Sequence, residues 1–253
     1  MREKNLTRRN LERVSFVSDL HLFCDRSCAD QSLDKIKQAA SLSNHFVLGG
    51  DIFDMKWSRI GSRRETIQAA IAWLEDFIRP FADCRFYFLL GNHDCGADMV
   101  HELNRLTGTW PNFSWHDQHL LIEDTLFLHG DVIDCNPPTR LCLQANREKW
   151  GKEKPKASWQ NSAYNLVVWA RLHRLIARQI NSTSRVARKL SAYIEDACET
   201  KLESLQHVVF GHTHWATQFE MNGVQFVNCG AAIHGLPFHI VEIVAGEINL
   251  EPI

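Results

Sequence analysis

Eight cysteines occur in the sequence, yet no two of them form a Cys-x-x-Cys pair. Zinc ribbons and thioredoxin-type redox sites depend on that spacing, so neither is supported and we expect reduced thiols. No apolar run reaches the ~18 residues of a membrane-spanning helix, and the polar N-terminus lacks the apolar core of a signal peptide. These absences predict a cytoplasmic protein that does not span a membrane.

The chain also lacks an excess of charge of one sign, since it has 28 Lys and Arg against 30 Asp and Glu. The net charge of −2 excludes a protein that binds nucleic acid because it is basic throughout. The charge is nevertheless uneven, because residues 139–189 hold twelve basic side chains and two acidic ones, a local net charge of +10. No internal repeat or low-complexity segment is visible.

Short apolar runs, each followed by a polar cluster, organise the rest of the sequence. Five such runs lie at residues 14–17, 46–48, 86–90, 126–128 and 208–210. This pattern is typical of buried strands with functional loops at their carboxyl ends. A helical stripe over Arg63–Ile78 lies between two of the runs, and the alternation of strand and helix predicts an α/β fold.

Two further strand pairs read as antiparallel, residues 119–123 with 126–129 and residues 238–244 with 247–251. The predicted sheets are therefore mixed. With 45% hydrophobic residues, 253 residues can bury one substantial core, and we expect a single domain over residues 1–253.

Residues 137–205 break the strand and helix alternation and predict an inserted basic helical cap. Two helical patterns, at residues 159–180 and 185–202, are separated by an Asn-Ser-Thr-Ser turn. Tryptophan and aliphatic residues alternate with the basic ones, which favours an anionic, partly apolar ligand or an anionic membrane surface. A solvated basic surface is the alternative. The candidate substrate-binding residues are Arg171, Arg174, Arg178, Arg185 and Arg188.

Polar residues of one chemical class follow each of the five apolar runs. In "GHTH" at residues 211–214, two histidines lie one residue apart, and extended backbone would put both on one face, whereas a helix would not. The other runs end in "SDLH", "GGDIFD", "GNHD" and "HGD". Together these motifs supply seven oxygen or nitrogen donors: Asp19, His21, Asp51, Asn92, His129, His212 and His214.

This donor set contains no sulfur and suits divalent ions, with manganese expected and iron or zinc as alternatives. Seven donors exceed what one tetrahedral ion takes, but they suit two ions that share a bridging carboxylate. Two ions about 3.5–4 Å apart generate a hydroxide at neutral pH and hold the oxygens of an in-line displacement at phosphorus. The sequence therefore predicts phosphoester hydrolysis.

The ordered motifs resemble those of the calcineurin-like metallophosphoesterase superfamily over residues 14–230, apart from the insertion. The resemblance implies a sandwich of two mixed β-sheets flanked by helices, with a dinuclear centre at one end. It also implies the distribution of the ligands: Asp19, His21 and His214 bind one metal, Asn92, His129 and His212 bind the other, and Asp51 bridges them.

The same resemblance implies that His93 protonates the leaving group or stabilises the transition-state oxygens, and that Asp94 orients its imidazole. Two nearby carboxylates have open roles. Asp54 either orients a metal ligand or is an acid at a helix N-terminus, and Asp131 either orients a histidine or caps a turn.

Within the superfamily, the chain is similar to the UDP-2,3-diacylglucosamine pyrophosphatases in its length, in "GDIFD" followed by Trp57, and in "HGD" leading into a basic insertion. This similarity implies a lipid-linked pyrophosphate substrate, which the basic, partly apolar insertion suits, and the insertion also predicts peripheral contact with an anionic membrane. His93 stands where those enzymes carry Arg, and Trp215 stands where they favour a basic residue. These departures keep general phosphodiesterases, nucleotidases and protein phosphatases as alternatives. A non-catalytic scaffold and a nucleic-acid binder are two further hypotheses.

Overall fold

Two β-sheets form the centre of the protein in the computed structural model, which describes residues 12–155 and 182–253. The strands are β1 (Arg13–Val17), β2 (His45–Leu48), β3 (Arg85–Leu89), β4 (Phe113–His116), β5 (His119–Ile122), β6 (Thr125–Leu128), β7 (His207–Phe210), β8 (Thr217–Met221), β9 (Val224–Asn228), β10 (His239–Val244) and β11 (Glu247–Pro252). The helices are α1 (Leu33–Leu42), α2 (Arg63–Ile78), α3 (Ala97–Thr109), α4 (Arg140–Trp150) and α5 (Thr183–Ala197).

Both sheets are mixed, as the sequence predicts. The first has the strand order β11-β10-β1-β2-β3-β4, and the second has the order β5-β6-β7-β9-β8. Strands β1 to β4 run parallel, as do β6, β7 and β9, whereas the β5–β6 and β10–β11 pairs are antiparallel. The two predicted antiparallel pairs are confirmed, and the α/β sandwich flanked by helices is confirmed with them.

The two sheets pack face to face through aromatic and aliphatic side chains. Strands β6 and β7 are buried along their whole length, and four of the five residues of β1 are buried, which explains their continuous apolar sequence. Phe16 of β1 and Phe127 of β6 stack with ring centroids 5.8 Å apart. Because this core joins the two sheets, the loops at the carboxyl ends of β1 and β6 are held at a fixed separation.

Helix α2 shows why its part of the sequence folds as predicted. Ser62 accepts a hydrogen bond from the Glu65 backbone N–H, and the Glu65 side chain accepts one from the Ser62 N–H, forming a capping box. The predicted apolar stripe, including Ile67, Ile71 and Leu74, is buried against the first sheet's core. The prediction for residues 63–78 is confirmed at both ends.

The described part of residues 137–205 lies on the second sheet. Val186, Leu190 and Tyr193 of α5 pack with Leu126 and Phe226 in one buried cluster. The predicted helix over residues 185–202 is present but shifted, since α5 begins after Ser182 and ends before Cys198. The predicted helix over residues 159–180 lies outside the described residues.

None of the helices within residues 12–155 and 182–253 combines the length and apolarity needed to cross a membrane.

Candidate metal centre

The loops that follow β1, β2, β3, β6 and β7 converge on one site. Their backbones are connected directly, since the Asp19 N–H donates to Gly50 O at 3.0 Å and the Gly211 N–H donates to His129 O at 2.8 Å. A Cβ atom added to Gly91 would overlap the Asp51 carboxylate, so only glycine permits this close approach. These contacts fix the loops relative to one another.

Five of the predicted metal ligands adopt left-handed backbone conformations, which non-glycine residues rarely do. The φ angles are 55° for Asp19, 46° for His21, 50° for Asp51, 67° for His212 and 57° for His214. Conformations of this kind cost about 1–3 kcal/mol each and persist where the surroundings enforce them, often at functional sites. At this site, the five residues with these costly backbone conformations are ones whose donor side chains converge.

The first group of donors comprises Asp19, His21, Asp51 and His214, whose ligand atoms all lie within 4.8 Å of one another. His214 Nε2 is 3.2 Å from Asp19 Oδ1 and 3.1 Å from His21 Nε2. Within the described part of the chain, Asp19 Oδ1 is buried and accepts no hydrogen bond. A buried carboxylate oxygen without a donor is costly, and a cation would satisfy it.

The second group of donors lies beside the first. Asn92 Oδ1 is 3.0 Å from His212 Nδ1 and 3.3 Å from His129 Nε2. Asp51 Oδ2 faces both groups, because it lies 3.5 Å from His129 Nε2 and 3.9 Å from His21 Nε2. The structure thus brings all seven predicted donors together, in the two sets that the family resemblance implies, with Asp51 between them. The donors and the orphaned oxygen fit two divalent cations.

The charges at the site depend on one another. Burial opposes a charged imidazole, but the carboxylates of Asp51 and Asp19 raise the pKa of His129 to about 10. Burial likewise opposes ionisation of Asp19, but the neighbouring imidazoles of His214 and His129 lower its pKa to about 2. The carboxylates therefore stay ionised and available to a cation.

His93 lies at the edge of both donor groups, and its partner differs from the predicted one. The His93 Nδ1 atom is 2.9 Å from Asp54 Oδ1, which leaves Nε2 facing the centre, 4.0 Å from Asp51 Oδ2. Burial disfavours its charged form, but Asp54 and Asp51 raise the pKa of His93 to about 9. Asp54, and not Asp94, orients this imidazole.

Asp94 instead ties two loops together. Its Oδ1 atom accepts the Gly91 N–H at 2.7 Å, and its Oδ2 atom accepts the Ile52 N–H at 2.9 Å. Burial and the charge of Asp51 raise the pKa of Asp94 to about 6. The implied contact between Asp94 and His93 is corrected, since the described contacts of Asp94 are with backbone N–H groups and His93 Nδ1 faces Asp54.

Asp54 connects several parts of the site. Its Oδ1 atom accepts the backbone N–H groups of Lys56 and Trp57 as well as facing His93, and its Oδ2 atom lies 3.4 Å from His21 Nδ1. Of its two open roles, orientation of a metal ligand agrees with the structure. Arg26, which no motif in the sequence marks, lies 3.8 Å from the same oxygen and 4.9 Å above the Trp57 ring.

Asp131 has neither of its two suggested roles. Its carboxylate binds the Arg147 guanidinium through two contacts of 2.8 Å, and Arg147 also donates to Leu90 O at 2.7 Å. Both side chains are buried, with Arg147 only 4% exposed. One of the twelve basic residues within residues 139–189 is therefore an internal support beneath the metal-site loops.

The candidate substrate arginines are only partly described. Arg185 and Arg188 are exposed on the first turns of α5, whereas Arg171, Arg174 and Arg178 lie outside the described residues. The Asp134 carboxylate lies 3.0 Å from His212 Nε2, and its pKa is lowered chiefly by that bond, although burial opposes it, with further lowering from Lys189 and Arg185. The start of α5 therefore lies on the His212 side of the site.

Comparison with known proteins gives a family match. The sequence matches the family model described as calcineurin-like phosphoesterase over residues 12–216. An archaeal phosphodiesterase structure is similar, with 14% identity, a TM-score of 0.44, and 95% of this chain and 99% of that chain covered. The phosphopantetheinyl hydrolase of Mycobacterium tuberculosis is also similar, with 12% identity, a TM-score of 0.43, and 88% of this chain and 90% of that chain covered. No curated protein matches the sequence.

Proposed function

The chain belongs to the calcineurin-like phosphoesterase family and is a metal-dependent phosphoester hydrolase, and from that premise we propose that it cleaves a phosphodiester or pyrophosphate bond. The observation that carries this proposal is the position of Asp51 Oδ2, which faces a nitrogen of each donor group. A carboxylate in that position suits two ions that act on one phosphorus centre. Manganese is the ion that we propose, because the oxygen and nitrogen donors accept it readily.

Two bound divalent ions would supply a hydroxide at neutral pH and would stabilise charge on the oxygens around phosphorus. The protein would hold one ion with Asp19, His21 and His214 and the other with Asn92, His129 and His212. Asp51 would contact both.

His93 provides the proton that the leaving group needs. Asp54 holds the Nδ1 side of the ring at 2.9 Å, so Nε2 is directed into the site and can donate a proton to the departing oxygen. The His93 backbone N–H donates to Asp51 Oδ1 at 2.8 Å, which fixes the position of the ring relative to the bridging carboxylate. Positioning of this kind matters because misplacement by 1 Å can cost about 100-fold in rate.

The substrate that we propose carries an anionic group beyond the scissile phosphate and an apolar part, as a lipid-linked pyrophosphate such as a UDP-diacylglucosamine does. The exposed Arg185 near Asp134 supports an anionic contact on the His212 side of the site. The basic and apolar composition of residues 139–189 supports a partly apolar ligand, with peripheral contact to an anionic membrane.

A general phosphodiesterase is the second candidate, and His93 favours it. An imidazole at this position can transfer a proton at neutral pH, whereas an arginine remains charged. A general phosphodiesterase would hydrolyse simple diesters that carry no lipid group.

A substrate screen under Mn²⁺ tests these proposals. We expect the purified protein to hydrolyse bis-p-nitrophenyl phosphate or a UDP-linked diacyl sugar faster than p-nitrophenyl phosphate. Preference for the lipid-linked substrate would support the first candidate, and equal turnover of simple diesters would support the second. A clear preference for monoesters would contradict both and would favour a nucleotidase or protein phosphatase.

A further inference from the structure

The outer ring nitrogens of three metal-site histidines differ in what they contact. His129 Nδ1 lies 3.0 Å from the buried carbonyl oxygen of Gly49, and His21 Nδ1 lies 3.4 Å from the buried Asp54 carboxylate. His212 presents Nδ1 to Asn92 and places Nε2 3.0 Å from Asp134 Oδ2. The Asp134 side chain is 56% exposed, so this outer contact, unlike the other two, is open to water.

A short 3-10 turn, Asp131–Asp134, carries this carboxylate. The turn is closed by the Ile133 N–H donating to Gly130 O and by the Cys135 N–H donating to Val132 O, each at 3.0 Å. An exposed ion pair alone holds its partners weakly, with about 0–1 kcal/mol. The ion pair with His212 is therefore too weak to orient Asp134 by itself, and its orientation depends on the contacts that hold the turn.

Lys189 of α5 holds this turn in place through its backbone carbonyl groups. Its ammonium donates to Ile133 O at 2.8 Å and to Cys135 O at 2.5 Å, on either side of Asp134. The next residue, Leu190, is buried in the cluster that joins α5 to the second sheet, so the base of the Lys189 side chain is held in place. A continuous set of contacts thus runs from α5 through the turn and Asp134 to His212.

We propose that Asp134 and Lys189 are positioning residues for His212, and that the docking of α5 thereby sets the affinity of the metal position formed by Asn92, His129 and His212. When Nδ1 of His212 binds a cation, the ring proton is on Nε2, and Nε2 donates a hydrogen bond to the Asp134 carboxylate. An outer carboxylate fixes the tautomer and orientation of a ligating histidine and increases its basicity, and losing such a partner typically weakens metal affinity by about 10- to 100-fold. The inference depends on the proposed metal-dependent function.

Metal titration of the purified, metal-free protein tests the proposal without any substrate. We expect wild type to bind two Mn²⁺ ions. Asp134→Ala and Lys189→Met should each weaken one of the two by about 10- to 100-fold and leave the other unchanged. Asp134→Asn keeps an oxygen acceptor and should recover part of the loss.

The matched controls are Asp30→Ala and Lys201→Met. Both residues are exposed, and their nearest opposite charges are 4.0 Å and 3.9 Å away. Neither control should change either metal affinity. The double variant Asp134→Ala/Lys189→Met should bind no more weakly than Asp134→Ala, because both residues act through the same histidine.

Electron paramagnetic resonance of bound Mn²⁺ gives a signal that general destabilisation would not reproduce. We expect a spin-coupled pair in wild type and a single uncoupled ion in Asp134→Ala at limiting metal. If Asp134→Ala and Lys189→Met both bind two Mn²⁺ ions with unchanged affinity, this inference is overturned but the proposed function is not. An equal loss of affinity at both metal positions would have the same consequence. A wild-type protein that binds no metal would instead contradict the proposed function.

Discussion

At the scale of the residue, the identity of the partner decides what a carboxylate does. Asp54 and Asp94 are both buried and both lie near His93 in the fold. Of the two, Asp54 contacts the imidazole, whereas the Asp94 oxygens accept backbone N–H groups from two separate loops. The family resemblance implied the orienting role for Asp94, and no pattern in the sequence identifies which carboxylate faces the ring.

Removing the acid should slow the reaction without emptying the site. We expect His93→Ala to lower kcat by about 10²- to 10⁴-fold, the usual contribution of a positioned general acid, with both metal ions retained. Steady-state kinetics and metal analysis of the same preparation provide the check. Near-normal kcat in this variant would contradict the role of His93.

The loop-tying role of Asp94 predicts a loss of stability. Asp94→Asn places an NH₂ group against either the Gly91 or the Ile52 N–H, so one buried donor loses its acceptor. We expect the free energy of unfolding to fall by about 1–3 kcal/mol, measured by urea denaturation of the metal-free protein. Asp98→Asn, at an exposed pair with Arg63, is the control, and equal effects of the two substitutions would refute this assignment.

At the scale of the element, α4 and α5 support the metal-site loops as well as covering the second sheet. The sequence predicts the helix that corresponds to α5 but does not predict α4, and it presents Arg147 and Lys189 as two of the twelve basic residues within residues 139–189. In the structure, Arg147 binds Asp131 and Leu90 O, while Lys189 binds two carbonyls of the turn beside His212. Charge patterning cannot separate these internal cations from solvated ones, because the distinction depends on how α4 and α5 dock.

Breaking the buried pair should be costly. Arg147→Met leaves the Asp131 carboxylate buried without its partner, and we expect a loss of about 3–5 kcal/mol in unfolding free energy. The exposed pair of Arg105 and Glu102 provides the control, since Arg105→Met should change stability by less than about 1 kcal/mol. Chemical denaturation measures both, and a small effect at Arg147 would contradict its structural role.

The exposed start of α5 should affect substrate binding more than chemistry. Arg185→Gln should raise KM for an anionic diester or pyrophosphate by several fold with little change in kcat, since it removes a charge that we place against the substrate. Kinetics at two salt concentrations check this, because an electrostatic contact weakens as salt rises. An unchanged KM would limit Arg185 to a surface role.

At the scale of the whole molecule, the fold follows from patterns that are visible in the sequence. Apolar runs that end in polar residues predict β1, β2, β3, β6 and β7, and α2 begins and ends where its apolar stripe predicts. Strands β4, β8 and β9 are not predicted by these runs. The pairing of β1 with β10, and of β6 with β7, joins segments far apart in the chain, and nothing local to those segments determines it. The sandwich nevertheless brings the seven donors together, because the carboxyl ends of its parallel strands meet at one edge.

The contacts outside the seven donors are the part that the sequence does not predict. Arg26, Asp54 and Asp134 each lie beside a site residue from another loop, at distances that tertiary packing sets. The convergence of the seven donors was predictable because their residue types and order recur at successive strand ends.

The central claim is that Asp51 joins two metal positions that act together on one phosphorus centre. The most direct measurement is Mn²⁺ stoichiometry together with diester hydrolysis for wild type and Asp51→Asn, with Asp30→Asn as the exposed control. We predict two ions per chain and turnover for wild type and control, and loss of both metal occupancy and turnover for Asp51→Asn. Retention of two ions and normal turnover in Asp51→Asn would contradict the account.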